Sequence, residues 1–203
     1  MPLPTLYYIR HGQTEWNASG RVQGWRDIPL NVKGRAQAAQ AGGILRDLLA
    51  REQRDHAKLP FVASPLGRAR ETMELVRTSI GLPREGYALE ARLREIGYGD
   101  WEGMTFAEMR TTHPEHYALR DADKWGIAAP GGESYADLEA RVGGWLESLM
   151  QDAVQDAVVV AHGGTMRALM VARGIERAAE AAERYIEQGV VYVFEGSRLT
   201  KHG

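Results

Sequence analysis

The chain has 203 residues, contains no cysteine and carries a formal net charge of −2. Its hydrophobic content of 44% suits a globular domain with a full core, while the lack of cysteine excludes disulfides, thiolate zinc sites and cysteine nucleophiles. We see no basic stripe, long apolar run or secretory leader pattern, so we expect no nucleic-acid partner and no membrane span. These features predict one cytoplasmic domain over residues 1–203, with a homodimer left open.

The first half of the chain alternates short apolar runs with amphipathic patterns. The aromatic and β-branched run from Leu6 to Arg10 predicts the first strand. Asn31 is a typical capping residue, so a helix should run from about Lys33 to Arg51. The predicted buried positions of this helix are Ala36, Ala39, Ile44, Leu45, Leu48 and Leu49. A strand, a helix and an extended piece are predicted next, at Phe61 to Ala63, Arg68 to about Ser79, and Tyr87 to Leu89.

The second half begins with an aromatic, polar and poorly periodic stretch at about residues 104–125, which predicts a helical, lid-like insertion over the site. Ser134 and Asp137 are placed to cap a helix that runs to about Met150. The remaining predicted elements are a strand at Val158 to Ala161, a helix from about Thr165 to Arg173, a charged helix with a solvated face at Glu176 to Glu187, and a last strand at Val190 to Phe194. Because strands alternate with helices, we predict an α/β fold, a three-layer α/β/α sandwich with a mainly parallel central sheet.

Two histidines each follow a predicted strand and each precede a glycine. Arg10-His11-Gly12 ends the first strand, and His162-Gly163-Gly164 ends the strand that begins near Val158. Parallel strands place their carboxyl ends at one edge of a sheet, where ligands collect in open α/β folds, so we expect the two imidazoles to face each other. The alternative for either histidine alone is a hydrogen-bonded structural role.

Arginines near the same edge predict an anion site. A transferring phosphoryl group carries charge on three oxygens and needs cations and N–H donors pointed at it. Arg10 and Arg68 suit this task because a guanidinium grips two oxygens at once, and Arg68 begins a helix just after the second strand. The backbone N–H groups that follow His162 would add donors at a helix start.

Phosphoryl transfer also needs a nucleophile and a proton donor. A neutral nitrogen of His11 can attack phosphorus, provided that its other ring nitrogen donates to a group such as a backbone carbonyl near Gly12. A carboxylic acid must then protonate the leaving alkoxide, and Glu95 lies in a loop from which it can do so. Ser64 has two open roles, as a phosphate contact or as a turn residue.

An ordered set of motifs resembles the histidine phosphatase (phosphoglycerate mutase-like) superfamily over nearly the whole chain. One departure is Gln13, where that family commonly has a glutamate. The motifs are Arg10-His11-Gly12 with Thr14 and Asn17, Gln23-Gly24 with Asp27, Pro29 and Leu30, Ser64-Pro65-Leu66 with Arg68-Ala69 and Glu71-Thr72, Leu93 with Glu95, Gly99 to Gly103, Gly131 to Ser134, and His162-Gly163-Gly164.

The resemblance implies a phosphoglycerate mutase-like fold and a role for each matched residue. His11 would be the phosphorylated nucleophile and Glu95 the proton donor, and neither a metal nor a cofactor would be needed. The phosphate pocket would contain Arg10, Arg68 and His162, helped by Asn17 and the backbone of Gly163. Gln23 and Trp25 share a loop near the site and are further candidates for substrate binding, the alternative for Trp25 being packing.

The surroundings of Glu95 favour a phosphatase over a mutase. Cofactor-dependent phosphoglycerate mutases place their acid in an arginine-histidine-tyrosine-glycine run and carry a longer insertion, whereas this chain has Leu93-Arg94-Glu95, as in broad-specificity and α-ribazole phosphatases. We therefore predict a metal-independent phosphatase for small phosphomonoesters that forms a phosphohistidine on His11. The alternatives are a phosphoglycerate mutase, a non-catalytic phosphoryl-binding homologue, and a metallohydrolase that uses His11 and His162 as ligands.

Overall fold

The computed structural model describes residues 3–152 and 156–203, whose strands form one six-stranded sheet. The strands are β1 (Thr5–Arg10), β2 (Phe61–Ala63), β3 (Ala88–Leu89), β4 (Asp156–Ala161), β5 (Val191–Glu195) and β6 (Arg198–His202). They are arranged in the order β3-β2-β4-β1-β5-β6. Strands β3, β2, β4 and β1 pair with one another in parallel, whereas β5 pairs antiparallel with both β1 and β6. The prediction of a mainly parallel sheet is therefore confirmed.

Helices connect the strands largely where the sequence predicts them. In the described part of the chain they are α1 (Glu15–Ala18), α2 (Val32–Arg51), α3 (Gly67–Ser79), α4 (Phe106–Thr112), α5 (Pro114–Ala122), α6 (Tyr135–Gln151), α7 (Gly163–Ala172) and α8 (Ala178–Glu183). Asn31 caps α2, and Ser134 forms a capping box with Asp137 at the start of α6, as predicted. None of the described helices combines the length and the apolar character needed to cross a membrane.

Alternate residues of β1 pack on opposite sides of the sheet. Tyr7 and Ile9 are buried against α2 and α3, whereas Leu6 and Tyr8 are buried against α6 and α7. This alternation is the two-residue period of a strand, and it gives the sheet a helical layer on each face. The predicted three-layer α/β/α sandwich is therefore confirmed.

The buried face of α2 is shifted from the predicted one. Ala36 and Ala39 are exposed, whereas Ala38 and Ala41 are buried. The shift follows from the close approach of α3, because a Cβ atom on Gly42 would lie only 2.5 Å from Cβ of Ser79. The leucines of the predicted face, Leu45, Leu48 and Leu49, are buried as expected.

Helices α4 and α5 lie within the segment predicted to be a helical insertion, and they cover a small core of their own. Trp101, Met109 and Ala129 are buried together beneath them. The predicted helix over Glu176 to Glu187 is wrong in length, since α8 covers only six residues. Its charged face is exposed as predicted, although Glu183 accepts a hydrogen bond from Lys124 at the end of the insertion.

Candidate active site

Three polar side chains follow the carboxyl ends of neighbouring strands. His11 comes after β1, Ser64 after β2 and His162 after β4. The backbone N–H groups of His11 and Ser64 donate to the carbonyls of Ala161 (2.9 Å) and Val160 (3.0 Å), so the sheet ladder continues into the site. The two imidazole rings lie edge to face with centroids 5.1 Å apart, at the sheet edge where we expected them to meet.

The His11 ring is fixed in one tautomer. Its Nδ1 lies 2.7 Å from the carbonyl oxygen of Gly12, which only accepts hydrogen bonds, so Nδ1 carries the proton. Nε2 keeps its lone pair and accepts a hydrogen bond of 3.3 Å from Nε of Arg68. Burial, together with the charges of Arg68 and Arg10, holds the pKa of His11 well below its usual value. The ring is therefore neutral at pH 7 and able to act as a nucleophile.

Two arginines bring positive charge to the same place. Arg68 is fully buried, and its Nη1 and Nη2 donate to the carbonyls of Arg26 (2.7 Å) and Gly24 (2.8 Å). Arg10 donates through Nη1 to the carbonyl of Ile186, while its buried Nε finds no partner among the described residues. Burial lowers the pKa of Arg68 to about 10, so this arginine stays protonated at pH 7. Such a pair of cations favours an anion between them.

His162 is buried behind these groups and is held by two hydroxyls. Ser64 Oγ lies 2.7 Å from its Nε2, and the Tyr8 hydroxyl donates to its carbonyl oxygen (2.7 Å) and accepts from its backbone N–H (3.0 Å). Burial and the nearby charge of Arg68 hold the pKa of His162 well below its usual value, so the ring is neutral. When Ser64 donates to Nε2, the single ring proton lies on Nδ1, which has no partner among the described residues.

Two glutamines and one asparagine surround the loop that follows His11. Asn17 forms a capping box with Thr14 at the start of α1, and its Oδ1 accepts a hydrogen bond of 3.2 Å from Gln188. Gln188 also donates to the carbonyl of His11 at 3.0 Å. Gln23 is buried, and its Oε1 accepts from the Thr14 hydroxyl at 2.9 Å. The contact from Gln188 was not predicted, since nothing in its local sequence points to a residue so distant in the chain.

Glu95 lies against the start of α7. Its Oε2 accepts a hydrogen bond of 3.3 Å from the backbone N–H of Gly164, and its Oε1 accepts one of 3.0 Å from Ile96. A Cβ atom on Gly164 would lie 2.3 Å from Glu95 Oε1, so only glycine allows the carboxylate this close to the helix. Helix α7 begins two residues before its predicted start at Thr165, because His162 already has the extended backbone of an N-cap.

Trp25 does not border the open space beside His11 and Glu95. Its indole N–H donates to the carbonyl oxygen of Glu95 at 2.8 Å, and the Arg94 guanidinium lies 4.5 Å from its ring centroid. Arg141 donates to the same Glu95 carbonyl at 2.9 Å. Trp25 thus supports the Glu95 loop from its outer side, which is closer to the packing alternative than to substrate binding.

A cavity of about 220 Å³ opens at this edge of the sheet. It brings together most of the predicted site residues, namely Arg10, His11, Asn17, Gln23, Arg68, Glu95 and Gly163. Lining residues that the sequence analysis missed are Arg21, Tyr98, Phe106 and Arg167. The sequence could have predicted Arg167 as a lining residue, because it stands four residues after Gly163 and therefore on the same face of α7. Among the described residues, no three or more His, Cys, Asp or Glu side chains are grouped to hold a metal ion.

Relatives in sequence include both phosphatases and mutases. Over 181 residues the chain is 36% identical to glucosyl-3-phosphoglycerate phosphatase from Mycolicibacterium vanbaalenii, covering 85% of this chain and 75% of the relative. It is 33% identical over 171 residues to 2,3-bisphosphoglycerate-dependent phosphoglycerate mutase from Bartonella tribocorum, covering 83% and 80% of the two chains.

Solved structures and the family match agree with these relatives. The α-ribazole phosphatase from Shigella flexneri superimposes with a TM-score of 0.79 at 26% identity, covering 97% of this chain and 93% of that one. The match confirms the phosphoglycerate mutase-like fold, and the named phosphatases are consistent with a phosphoric monoester hydrolase. Residues 6–196 match the family described as histidine phosphatase superfamily (branch 1). The resemblance found in the motifs is confirmed, and the chain belongs to the histidine phosphatase superfamily.

Proposed function

We propose that the chain is a phosphatase that hydrolyses small phosphomonoesters without a metal, through a phosphohistidine on His11. The observation that carries this proposal is the fixed His11 ring. Its Nδ1 is engaged by the Gly12 carbonyl at 2.7 Å, which leaves the Nε2 lone pair beside Arg68 in the cavity. A neutral, oriented imidazole is the form that attacks phosphorus.

In the first step, His11 Nε2 forms a bond to phosphorus while the bond from phosphorus to the ester oxygen breaks. The charge on the transferring group lies between Arg10 and Arg68, close to the backbone N–H of Gly163 at the start of α7. A His162 proton on Nδ1 would supply a further donor. These groups are already held by the protein, so little reorganisation is needed as the charge moves.

Glu95 acts as the acid and then as the base. In its protonated form it gives a proton to the departing alkoxide, which leaves as an alcohol. A water molecule then attacks phosphorus and gives its proton to the Glu95 carboxylate, while the bond from phosphorus to Nε2 breaks. Inorganic phosphate leaves, and neutral His11 and protonated Glu95 are restored.

The first test is phosphate release from p-nitrophenyl phosphate in the presence of EDTA. We expect activity in the wild type and at least a thousandfold loss in His11→Ala, because the nucleophile is gone. His56→Ala is a matched control, since His56 precedes β2 and so lies at the opposite end of the strand from the site. Loss of wild-type activity in EDTA would contradict the proposal and favour a metallohydrolase, and activity in His11→Ala would exclude His11 as the nucleophile.

A phosphoglycerate mutase is the second candidate, because mutases are among the relatives that cover most of the chain. A mutase would return the phosphoryl group from His11 to another hydroxyl of the substrate instead of to water. We expect hydrolysis to dominate, since the acid stands in Leu93-Arg94-Glu95 and not in the mutase context. Faster interconversion of 2- and 3-phosphoglycerate than release of phosphate, measured with a bisphosphoglycerate primer, would favour the mutase.

A further inference from the structure

A second cavity, of about 300 Å³, lies beyond the phosphate site. Tyr98, Phe106 and Arg167 line both cavities, so the second one opens onto the first. Its other walls include Trp101, just before α4, and Tyr117 on α5. A substrate with its phosphate near His11 would therefore extend its alcohol portion between aromatic side chains.

Arg120 brings an unpaired positive charge into this second cavity. The residue is only 6% exposed, and its Nε and Nη2 are buried without a hydrogen-bond partner among the described residues. The guanidinium carbon lies 5.2 Å from the ring centroid of Tyr98, which gives the charge a partial aromatic partner. A buried cation whose donors are left unsatisfied is costly, and an anionic ligand with two oxygens would remove that cost.

The acidic side chains nearby are engaged elsewhere. Asp121 and Glu183 also line the second cavity, but both contact Lys124 Nζ, and both are mostly exposed. Arg167 adds a second cation, which donates through Nη1 to the Tyr135 hydroxyl at 2.9 Å. The second cavity therefore carries positive charge that the described carboxylates do not neutralise.

We propose that the second cavity binds a carboxylate on the alcohol portion of the substrate, with Arg120 as its main partner. This inference rests on the proposed phosphatase function and names its substrate class, which is the phosphate esters of hydroxy acids with an apolar or aromatic frame. A carboxylate fits better than a second phosphate, because one planar group with one charge matches one free guanidinium. The aromatic walls of the cavity favour a substrate whose alcohol portion is apolar over one whose alcohol portion is strongly hydrated.

The test compares acids with their neutral amides. Two pairs of esters are used. The first is 4-carboxyphenyl phosphate with 4-carbamoylphenyl phosphate, and the second is the phosphate ester of 3-(4-hydroxyphenyl)propanoate with that of its amide. For at least one pair we expect kcat/KM of the acid to exceed that of the amide by about tenfold or more, as for a charge-assisted hydrogen bond. The carboxylate withdraws electrons less than the amide, so leaving-group chemistry alone would favour the amide.

Variants then assign the preference to Arg120. Arg120→Met should bring the ratio of acid to amide down to about one, whereas Arg110→Met, an exposed arginine on α4, should keep the wild-type ratio. Because the ratio is measured within one preparation, partial misfolding cancels, and Arg120→Gln serves as a second variant. Equal kcat/KM for acid and amide in the wild type, or a preference that survives both substitutions, would overturn the inference.

The two proposals fail in different ways. If neither these esters nor p-nitrophenyl phosphate is hydrolysed, the proposed function is contradicted. The inference is then decided by calorimetry with the same acids and amides, where tighter binding of an acid supports it and equal binding overturns it.

Discussion

The Ser64 hydroxyl sets the hydrogen bonding of the His162 ring. Ser64 Oγ lies 2.7 Å from His162 Nε2 and also accepts a long hydrogen bond, 3.4 Å, from the backbone N–H of Leu66. Accepting from Leu66 leaves the Ser64 proton free to point at Nε2. The hydrogen bond from Leu66 is the turn role that the sequence offers for Ser64, and the contact with His162 is one that the sequence analysis did not predict.

Replacing Ser64 should weaken catalysis without disturbing the nucleophile. In Ser64→Ala, His162 Nε2 loses its partner and the ring proton is no longer directed to Nδ1, so we expect kcat to fall roughly tenfold. Ser64→Thr keeps the hydroxyl and should restore most of the activity, while Ser197→Ala in the exposed turn before β6 is a control. Equal losses in the alanine and threonine variants would point to a packing role instead.

Helix α7 shapes the site through its first turn. The paired glycines after His162 let the helix begin at Gly163, and the bare Cα of Gly164 allows the Glu95 carboxylate to lie against it. Because α7 also carries Arg167, one helix brings together the N–H groups of its first turn, the glycine that lies against Glu95 and a wall of both cavities.

Gly164→Ala should therefore resemble a substitution of Glu95, the proposed proton donor. The added methyl group would displace Glu95, so we expect turnover of alkyl phosphates, which have poor leaving groups, to fall more than turnover of an activated aryl phosphate. Glu95→Gln should show the same pattern, and Gly144→Ala, where a Cβ atom meets open space, is a matched control. Equal losses on both ester classes would contradict the assignment of Glu95 as the acid.

Strands buried on both faces could be predicted from the sequence, whereas a polar edge strand and contacts that depend on tertiary packing could not. The central strands β1 and β4 are continuous apolar runs, which is typical of a covered parallel sheet. β6 was missed because its sequence, Arg198 to His202, is polar and forms the sheet edge. The same limit applies in the site, where strand ends and glycines predicted the histidines and arginines. Partners such as Gln188 and Arg120 depend on tertiary packing that no local pattern encodes.

The whole molecule is nearly neutral, yet several arginines lie close together around its two cavities. Against a formal net charge of −2, the residues that line the two cavities include more cations than carboxylates, among them Arg10, Arg68, Arg120 and Arg167. His11 lines the first cavity and His162 is buried behind it, and burial keeps both rings neutral. This separation gives the site an attractive field for anions while the rest of the surface stays slightly negative. The same burial makes folding sensitive to protonation of the histidines.

Acid should therefore destabilise the protein through His11 and His162. Both have a folded pKa below the unfolded value of about 6.5, so their contribution to stability is complete above that pH and is lost as the pH falls. Each group can add up to about 1.4 kcal/mol per pH unit to the slope of the unfolding free energy below pH 6.5. Urea unfolding between pH 7 and 5 measures this slope, and His11→Asn should reduce it. An unchanged slope in that variant would contradict the buried neutral state of His11.

The neighbouring strands β1 and β4 are far apart in the sequence. Their register pairs Thr5 with Asp156 and Arg10 with Ala161, so the two site histidines become neighbours only after about three quarters of the chain has been closed into a loop. No early, locally folded segment can contain both rings. During synthesis the candidate site can therefore form only after β4 has left the ribosome, and any activity recovered in refolding experiments would report the long-range pairing of the central strands.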